Sequence, residues 1–328
     1  MYRVSAPFRG RVSPWRRWRR DLLLALAAGA LGLGLGAWLG PKPEVLVTRS
    51  RPLMGTLMEI RLPGPLDAAG EAAVAAAFAE MARVERVLAP YRPGGGPASA
   101  AESLEVTQLL KLGRQVGAAS LGALDLRIRD WVELWGFEST PRKPSQTELD
   151  SLARRRALRP VSGDWREYSF GCVAAGYAVD RALQVLKARG LTRALVNAGG
   201  EVGVLGQGWR VGVQDPRDSL ALLARLTLDE GQFVATSGDY QSAFEAEGRR
   251  WHHLLQPATG LPATECRSVS VRAPSCAEAD IWATALFVMG PAGALAMAQR
   301  RPELEVLVVD AEGQTARSAG WDAPVRRK

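Results

Sequence analysis

Beyond residue 45 the hydrophobic positions follow two rhythms. Leu57 to Leu62 alternates apolar and polar side chains, the period of a half-buried strand. Ala68 to Leu88 is Ala-rich with apolar positions at helical spacing, and the same spacing predicts a helix over Leu104 to Ala118. Between them, Pro90 to Ala98 holds three prolines and three consecutive glycines, which break both rhythms and predict a loop. Ser145 followed by Glu148 has the form of a capping box, and predicts a helix running to about Arg154. Gly176 to Ala188 is helical in period, with Gly190 as its stop. Short strand patterns follow at Ala194–Val196, Trp209–Val213, Ala221–Leu226, Gln232–Ala235, Ser268–Arg272 and Leu304–Val309. Helical spacing returns over Ala277–Met289 and Ala292–Arg300. Hairpin-like strands mixed with helices predict an α+β (mixed α/β) fold. No repeat of 20 to 50 residues is present, and nothing forces a boundary between Val45 and the C-terminus, so residues 41–328 are expected to form one domain.

Residues 1–40 differ in kind. Seven arginines and no acidic residue occupy the first twenty positions, and Leu22 to Gly40 then carries no charge. A basic flank before about 19 apolar residues reads as a signal or uncleaved membrane anchor, with the body on the far side. The expected location is an inner-membrane-anchored periplasmic domain, or an exported one. This segment also explains the net charge. Of the +8, +7 lies in the first twenty residues, so +1 remains for the rest. A nearly neutral body removes the electrostatic case for nucleic-acid binding.

Three cysteines allow at most one internal disulfide. Cys266 and Cys276 could pair in an oxidising compartment, and their spacing leaves this open. The only histidines, His252 and His253, are adjacent, which excludes a His-rich metal site. Asp280 and Thr284 are different. Four residues apart on a predicted helix, they share a face, and a carboxylate beside a hydroxyl suits a hard cation such as Mg²⁺.

Other segments carry possible chemistry. Gly171 to Gly176, followed by Tyr177 and Asp180, opens a helix with glycines, where backbone N–H groups can approach an anion. Asn197-Ala-Gly-Gly-Glu201 follows a strand, Ser237-Gly-Asp-Tyr240 forms a polar loop, and His253 could serve as a base near neutral pH. Each segment alone also fits an ordinary turn or a satisfied polar pair. The series does not. With Met54-Gly-Thr56, Leu124-Asp125, Leu134-Trp-Gly-Phe137 and His253 to Gly260, these segments resemble, in content and order, the ApbE family of FAD:protein FMN transferases.

The resemblance spans about Met54 to Gly290. It implies transfer of FMN from FAD, through its phosphate, to a Thr or Ser hydroxyl of an exported target protein, with release of AMP. It further implies Mg²⁺ held by Asp280, Thr284 and a main-chain oxygen of Cys172. FAD contacts are implied at Met54, Tyr91, Ala123, Leu124, Asp125, Ser169, Ala175 and Leu255, with His253 placed as the base. Some positions depart from the family pattern. Ala175 stands where a lysine is usual, Ser169 where an aspartate is, and Gln256 and Ala258 replace an acid and a base. Arg127 and Arg129 follow Asp125 in place of small residues, and either could return the charge missing at Ala175. The departures leave two alternatives open: a flavin-binding or scaffolding protein without transfer, or an FAD pyrophosphate hydrolase.

Overall fold

The computed structural model describes residues 45–89, 92–158 and 164–325. The expected anchor in 1–40 and the expected flavin contact Tyr91 lie outside these residues. In chain order the elements are β1 (Leu46–Leu53), β2 (Thr56–Pro63), α1 (Ala68–Leu88), α2 (Ala100–Ala119), α3 (Arg129–Trp135), α4 (Gln146–Leu158), α5 (Ala174–Ala188), β3 (Ala194–Asn197), β4 (Val202–Leu205), β5 (Trp209–Asp215), β6 (Asp218–Leu228), β7 (Phe233–Gly238), β8 (Ala243–Ala246), β9 (Arg249–His252), β10 (Cys266–Ala273), α6 (Cys276–Arg300), β11 (Glu305–Asp310) and β12 (Thr315–Arg317).

Eight strands form one antiparallel sheet in the order β1-β2-β3-β4-β7-β10-β11-β12. The period-2 pattern divides its two faces. On β11, Val306 and Val308 enter the core beneath the helices, while Leu307 and Val309 enter a second core on the opposite face. On β3, Ala194 and Val196 face the helices and Leu195 faces away. The helix layer is α1 against α5 and α5 against α6. The far face is covered by the β5–β6 hairpin and by Trp321. A separate cluster gathers Trp131 and Trp135 of α3, Leu149 and Leu152 of α4, and Trp251 of the β8–β9 hairpin.

Local chemistry sets the helix boundaries. Asp67 caps α1 by accepting from Gly70 N at 2.7 Å. The Ser145–Glu148 box forms as expected, with the Ser145 N–H donating to Glu148 at 2.8 Å and the Glu148 N–H donating to Ser145 at 3.3 Å. The two helices expected over 277–300 run as one element with a kink. Gly290, at φ 75°, leaves helical geometry immediately before Pro291, whose ring forbids a regular turn. Among the described residues, α6 alone is long and apolar enough to cross a membrane, yet much of it is buried in the core and it carries Asp280. The disulfide left open by the sequence does not form. Cys172, Cys266 and Cys276 are all free thiols.

Candidate functional site

Two arrangements build the site. The first is the β1–β2 turn. Leu53 pairs with Thr56, so Met54 and Gly55 alone make the turn, both at positive φ (51° and 75°). This places Met54 at the wall of a cavity. Thr56 also packs directly against Gly199, where a Cβ would strike the threonine side chain. The Met-Gly-Thr and Asn-Ala-Gly-Gly segments are therefore neighbours in space.

The second is the contact between α5 and α6. The α5 N-terminus has no side-chain cap of its own. Asp280 of α6 supplies one, accepting from Gly176 N at 2.9 Å. In return, Asp180 of α5 accepts from Cys276 N and Ala277 N, both at 2.9 Å, at the α6 N-terminus. Each helix thus caps the other with a carboxylate, where the helix dipole favours negative charge. Gly176 makes this approach possible, since a Cβ there would lie 2.8 Å from the Asp280 Cβ. Burial raises Asp180 to about 6 against the pull of its two N–H donors.

The cavity has a volume of about 470 Å³. Met54, Ala123, Leu124, Asp125, Ser169, Ala175 and Leu255 line it, which brings together the described residues expected to contact the flavin. Cys172, Thr284 and His253 line it as well. Asp280 is buried, 6% exposed, and is not part of the lining. Thr284, one turn along α6, does reach the cavity, and its hydroxyl lies 3.2 Å from Ser237 Oγ at the end of β7. The neighbouring Asp239 is held by Arg217 in a two-pronged pair at 2.6 and 2.5 Å. This ties the Ser-Gly-Asp-Tyr loop to the β5–β6 hairpin.

The two histidines have separate tasks. His252 donates from Nε2 to Ala263 O at 2.9 Å and accepts at Nδ1 from Leu254 N at 3.3 Å, so both ring nitrogens are committed to structure. His253 lies 3.2 Å from Gln241 O through Nδ1. A carbonyl only accepts, so Nδ1 carries the proton and Nε2 keeps its lone pair. Burial, with a smaller effect of His252, pushes His253 down to about 4. The ring is neutral at physiological pH, as a base must be.

Acidic groups dominate beneath the cavity. Burial raises Asp280 to about 7; the Gly176 N–H opposes this and Asp180 adds to it. Burial and the nearby Asp280 charge also push Glu201 well above the usual carboxylate range. No basic side chain contributes to either shift. Buried carboxylates without a counter-charge are costly, and a divalent cation would relieve them. The donor chemistry fits a hard ion. Burial and Asp280 raise the Cys172 thiol, so it stays protonated and offers no soft thiolate. What remains is carboxylate, hydroxyl and main-chain oxygen, the set preferred by Mg²⁺. Among the described residues no group of three or more His, Cys, Asp and Glu side chains converges to hold a metal, so such an ion would depend on Thr284 and main-chain donors too.

Neither arginine replaces a charge at Ala175. Arg127 binds Asp125 through its backbone N–H (2.9 Å) and its guanidinium (3.1 Å). Arg129 pairs with Glu133 (2.5 Å) and lies 3.7 Å from Glu138. Neither lines the cavity. Among the described residues the cation that does so is Arg92, from the expected Pro-rich loop, paired with Glu85 at 2.5 Å. Its position in the Tyr-Arg-Pro triplet is the sequence signal for it. Gln256 accepts from Thr259 Oγ1 at 3.1 Å within its own turn. That turn is anchored by Trp131 Nε1 donating to Pro257 O (3.1 Å) and Trp135 Nε1 donating to Gly260 O (2.7 Å).

The arrangement has known counterparts. The ApbE family model matches residues 54–308. A FAD:protein FMN transferase of Escherichia coli K12 is 32% identical over 232 residues, 64% of this chain and 65% of that protein. The chain thus spans slightly under two thirds of that relative's length. A FAD:protein FMN transferase of Klebsiella pneumoniae is 28% identical over 304 residues, 83% of this chain and 85% of its own. Among solved structures, the ApbE protein of Thermotoga maritima superposes with a TM-score of 0.71 at 26% identity, covering 84% of this chain and 97% of that one. The flavinyl transferase ApbE of Pseudomonas stutzeri, in its apo form, gives 0.68 at 29% identity, covering 85% and 96%. The fold is that of these ApbE structures. The chain belongs to the ApbE family.

Proposed function

We propose that this chain is a Mg²⁺-dependent FAD:protein FMN transferase that modifies a Thr or Ser hydroxyl of an exported target and releases AMP. The observation that carries the reading is a convergence on one cavity. A neutral His253 with a free Nε2 and the Thr284 hydroxyl line it, and the Asp280 carboxylate lies beneath it. The relatives' names support the choice of FAD as donor and a protein as acceptor.

In this reading the acceptor oxygen attacks the phosphorus of the FMN half of FAD. A new P–O bond forms, the bridging P–O bond breaks, and AMP leaves with the electron pair. His253 Nε2 takes the hydroxyl proton, a role in general-base catalysis. Asp280, Thr284 and the Cys172 main-chain oxygen would hold Mg²⁺, which would supply charge stabilisation at the pyrophosphate. Met54, Ala123, Leu124, Asp125, Ser169, Ala175 and Leu255 wall the flavin side and exclude water; Tyr91 belongs to the same proposal. Residues 1–40 would anchor the domain at the membrane, facing its exported partner.

A second reading, flavin binding without transfer, is favoured by one observation. The charge absent at Ala175 is not returned by Arg127 or Arg129. One experiment separates the readings. The chain is incubated with FAD, Mg²⁺ and a candidate exported acceptor, and intact masses are measured with a no-metal control. A metal-dependent gain equal to FMN minus water supports the transferase. No gain, while an active family member modifies the same acceptor, rejects it in favour of binding alone. AMP release without a gain identifies hydrolysis.

A further inference from the structure

The β5–β6 hairpin belongs to the far-face core, yet one side chain at its tip reaches the loop that carries polar groups of the site. Asp215 pairs with Asp218, so Pro216 and Arg217 alone make the turn. The proline ring fixes one φ, and the Asp215 carboxylate accepts from Arg217 N at 2.9 Å, as in an Asx-turn. The Arg217 guanidinium also donates to Pro216 O at 3.0 Å. With its base set in this way, the guanidinium meets both oxygens of Asp239, at 2.6 and 2.5 Å. This fork is a geometry that a lysine cannot reproduce.

Asp239 is 9% exposed, and among the described residues Arg217 is the cation paired with it. Removing one member of a buried pair leaves an uncompensated charge, so the loop would have to shift until water reached the carboxylate. Such a shift has consequences on both sides. Gln241 N donates to Gly238 O at 3.2 Å, which closes residues 238–241 into a turn about Asp239. On one side of that turn, Ser237 Oγ lies 3.2 Å from the Thr284 hydroxyl. On the other, Gln241 O accepts from His253 Nδ1 at 3.2 Å. Arg217, Ser237, Asp239 and Gln241 do not themselves line the cavity, whereas Thr284 and His253 do.

We propose that Arg217 is a positioning residue for the transfer reaction. Through Asp239 it fixes the 237–241 loop, and through that loop it fixes the His253 ring and the Thr284 hydroxyl. The inference rests on the transferase reading of those two residues. It gives the Asp-Pro-Arg turn a task in turnover that involves no contact with FAD.

The test compares the full-length wild type with Arg217→Met, which keeps an aliphatic stem without the fork, and with Arg217→Lys, which keeps the charge. Melting curves first set a temperature at which all three are folded. The chain has only two histidines, so long-range ¹H–¹⁵N spectra of protein labelled with ¹⁵N-histidine report the His253 ring, and His253→Asn identifies its signals. The proton of wild-type His253 is expected on Nδ1. Arg217→Met should show a mixture of the two tautomers, because the bond that selects one is loosened. Turnover on the acceptor modified in the intact-mass experiment should fall about tenfold or more in Arg217→Met, the effect of a misplaced reacting group. The FAD dissociation constant should stay within about twofold of wild type, and Arg217→Lys should recover part of the turnover. Wild-type ring signals or wild-type turnover in folded Arg217→Met overturn the inference. A loss of FAD affinity as large as the loss of turnover overturns it too, since the effect would then lie in binding. If the wild type modifies no acceptor, the transferase reading fails by itself, and the ring signals still decide whether Arg217 positions His253. Should Arg217→Met not fold, Arg217→Lys decides: shifted ring signals support the inference, and wild-type signals overturn it.

Discussion

At the residue scale, two adjacent imidazoles are distinguished by what their nitrogens touch. His252 has both nitrogens engaged, one to Ala263 O and one to Leu254 N, and its ring meets Phe287 edge-on at 5.6 Å. His253 has one nitrogen left over at the cavity wall. Its depressed pKa has a signed consequence. The folded value of about 4 lies below the unfolded value near 6.5, so the unfolded chain takes up a proton first as pH falls. The stability tied to this residue is complete above pH 6.5 and is lost progressively down to about 4. The shift corresponds to roughly 3 kcal/mol at most, by the linkage between pKa and stability. His253→Asn places an amide N–H at the δ position, where it can donate to Gln241 O, and cannot titrate. It is expected to lose less stability than wild type between pH 7.5 and 4.5, by about 2 kcal/mol in urea denaturation. The same variant should reduce transfer by at least roughly a hundredfold, the usual contribution of a general base. Equal acid sensitivity of the two proteins would contradict the neutral assignment.

At the element scale, the reciprocal capping of α5 and α6 holds the site's floor. Gly176 is the point of closest approach, and two opposing effects act on Gly176→Ala. Alanine favours a helix interior over glycine by roughly 0.5–1 kcal/mol. Against this, the new methyl meets the Asp280 Cβ at 2.8 Å, and overpacking of this kind typically costs about 1–3 kcal/mol. Overpacking should win. The variant is expected to melt lower than wild type and, with Asp280 displaced, to lose most of the rise in melting temperature that the proposed Mg²⁺ site predicts for the wild type. Differential scanning calorimetry with and without Mg²⁺ checks both effects. Helices were the most legible elements in the sequence, because their signals are long and local. The bounds of α1 match its apolar stripe, and the Gly290–Pro291 pair marked the break in α6. The start of α2 came four residues before the expected Leu104, although Ser99 followed by Glu102 is itself a capping signal. Strand β1 was not foreseen, since Thr48, Arg49, Ser50 and Arg51 at a sheet edge give no apolar alternation. Strand β4 is four buried residues including a glycine, too short for any period to show. The β8–β9 hairpin and the seven-residue α3 draw their stability from the tryptophan cluster, a tertiary effect invisible to local pattern. The site was legible as ordered motifs. Its electrostatics were not, because the lack of a cation near Asp280 and Glu201 depends on how α6 and β4 stack.

At the scale of the whole molecule, a body carrying only +1 beyond its first twenty residues would bind the anionic dinucleotide of the proposed reaction through local fields. Those fields are unfavourable on their own. Glu85, Asp125 and Glu138 line the cavity, each beside an arginine: Arg92, Arg127 and Arg129 respectively. Among the described residues no cation acts on the buried Asp280 or Glu201. The field left over is negative where a pyrophosphate would sit, and Ala175 offers no lysine to offset it. Under the proposed function, a divalent cation would come first or come with the nucleotide. FAD affinity, measured by flavin fluorescence titration, should fall at least about tenfold when EDTA replaces Mg²⁺, a difference of roughly 1.4 kcal/mol or more. Ala175→Lys places an ammonium on the first turn of α5 at the cavity wall. A charge-assisted contact of that type contributes about 1.5–3 kcal/mol, so the variant should recover much of the FAD binding lost in EDTA. It should not recover transfer, because a lysine neutralises the ground-state anion without assembling Asp280 and Thr284 around the reacting phosphate. FAD binding that ignores both EDTA and the new lysine would mean the pyrophosphate lies elsewhere in the cavity, away from α5 and α6.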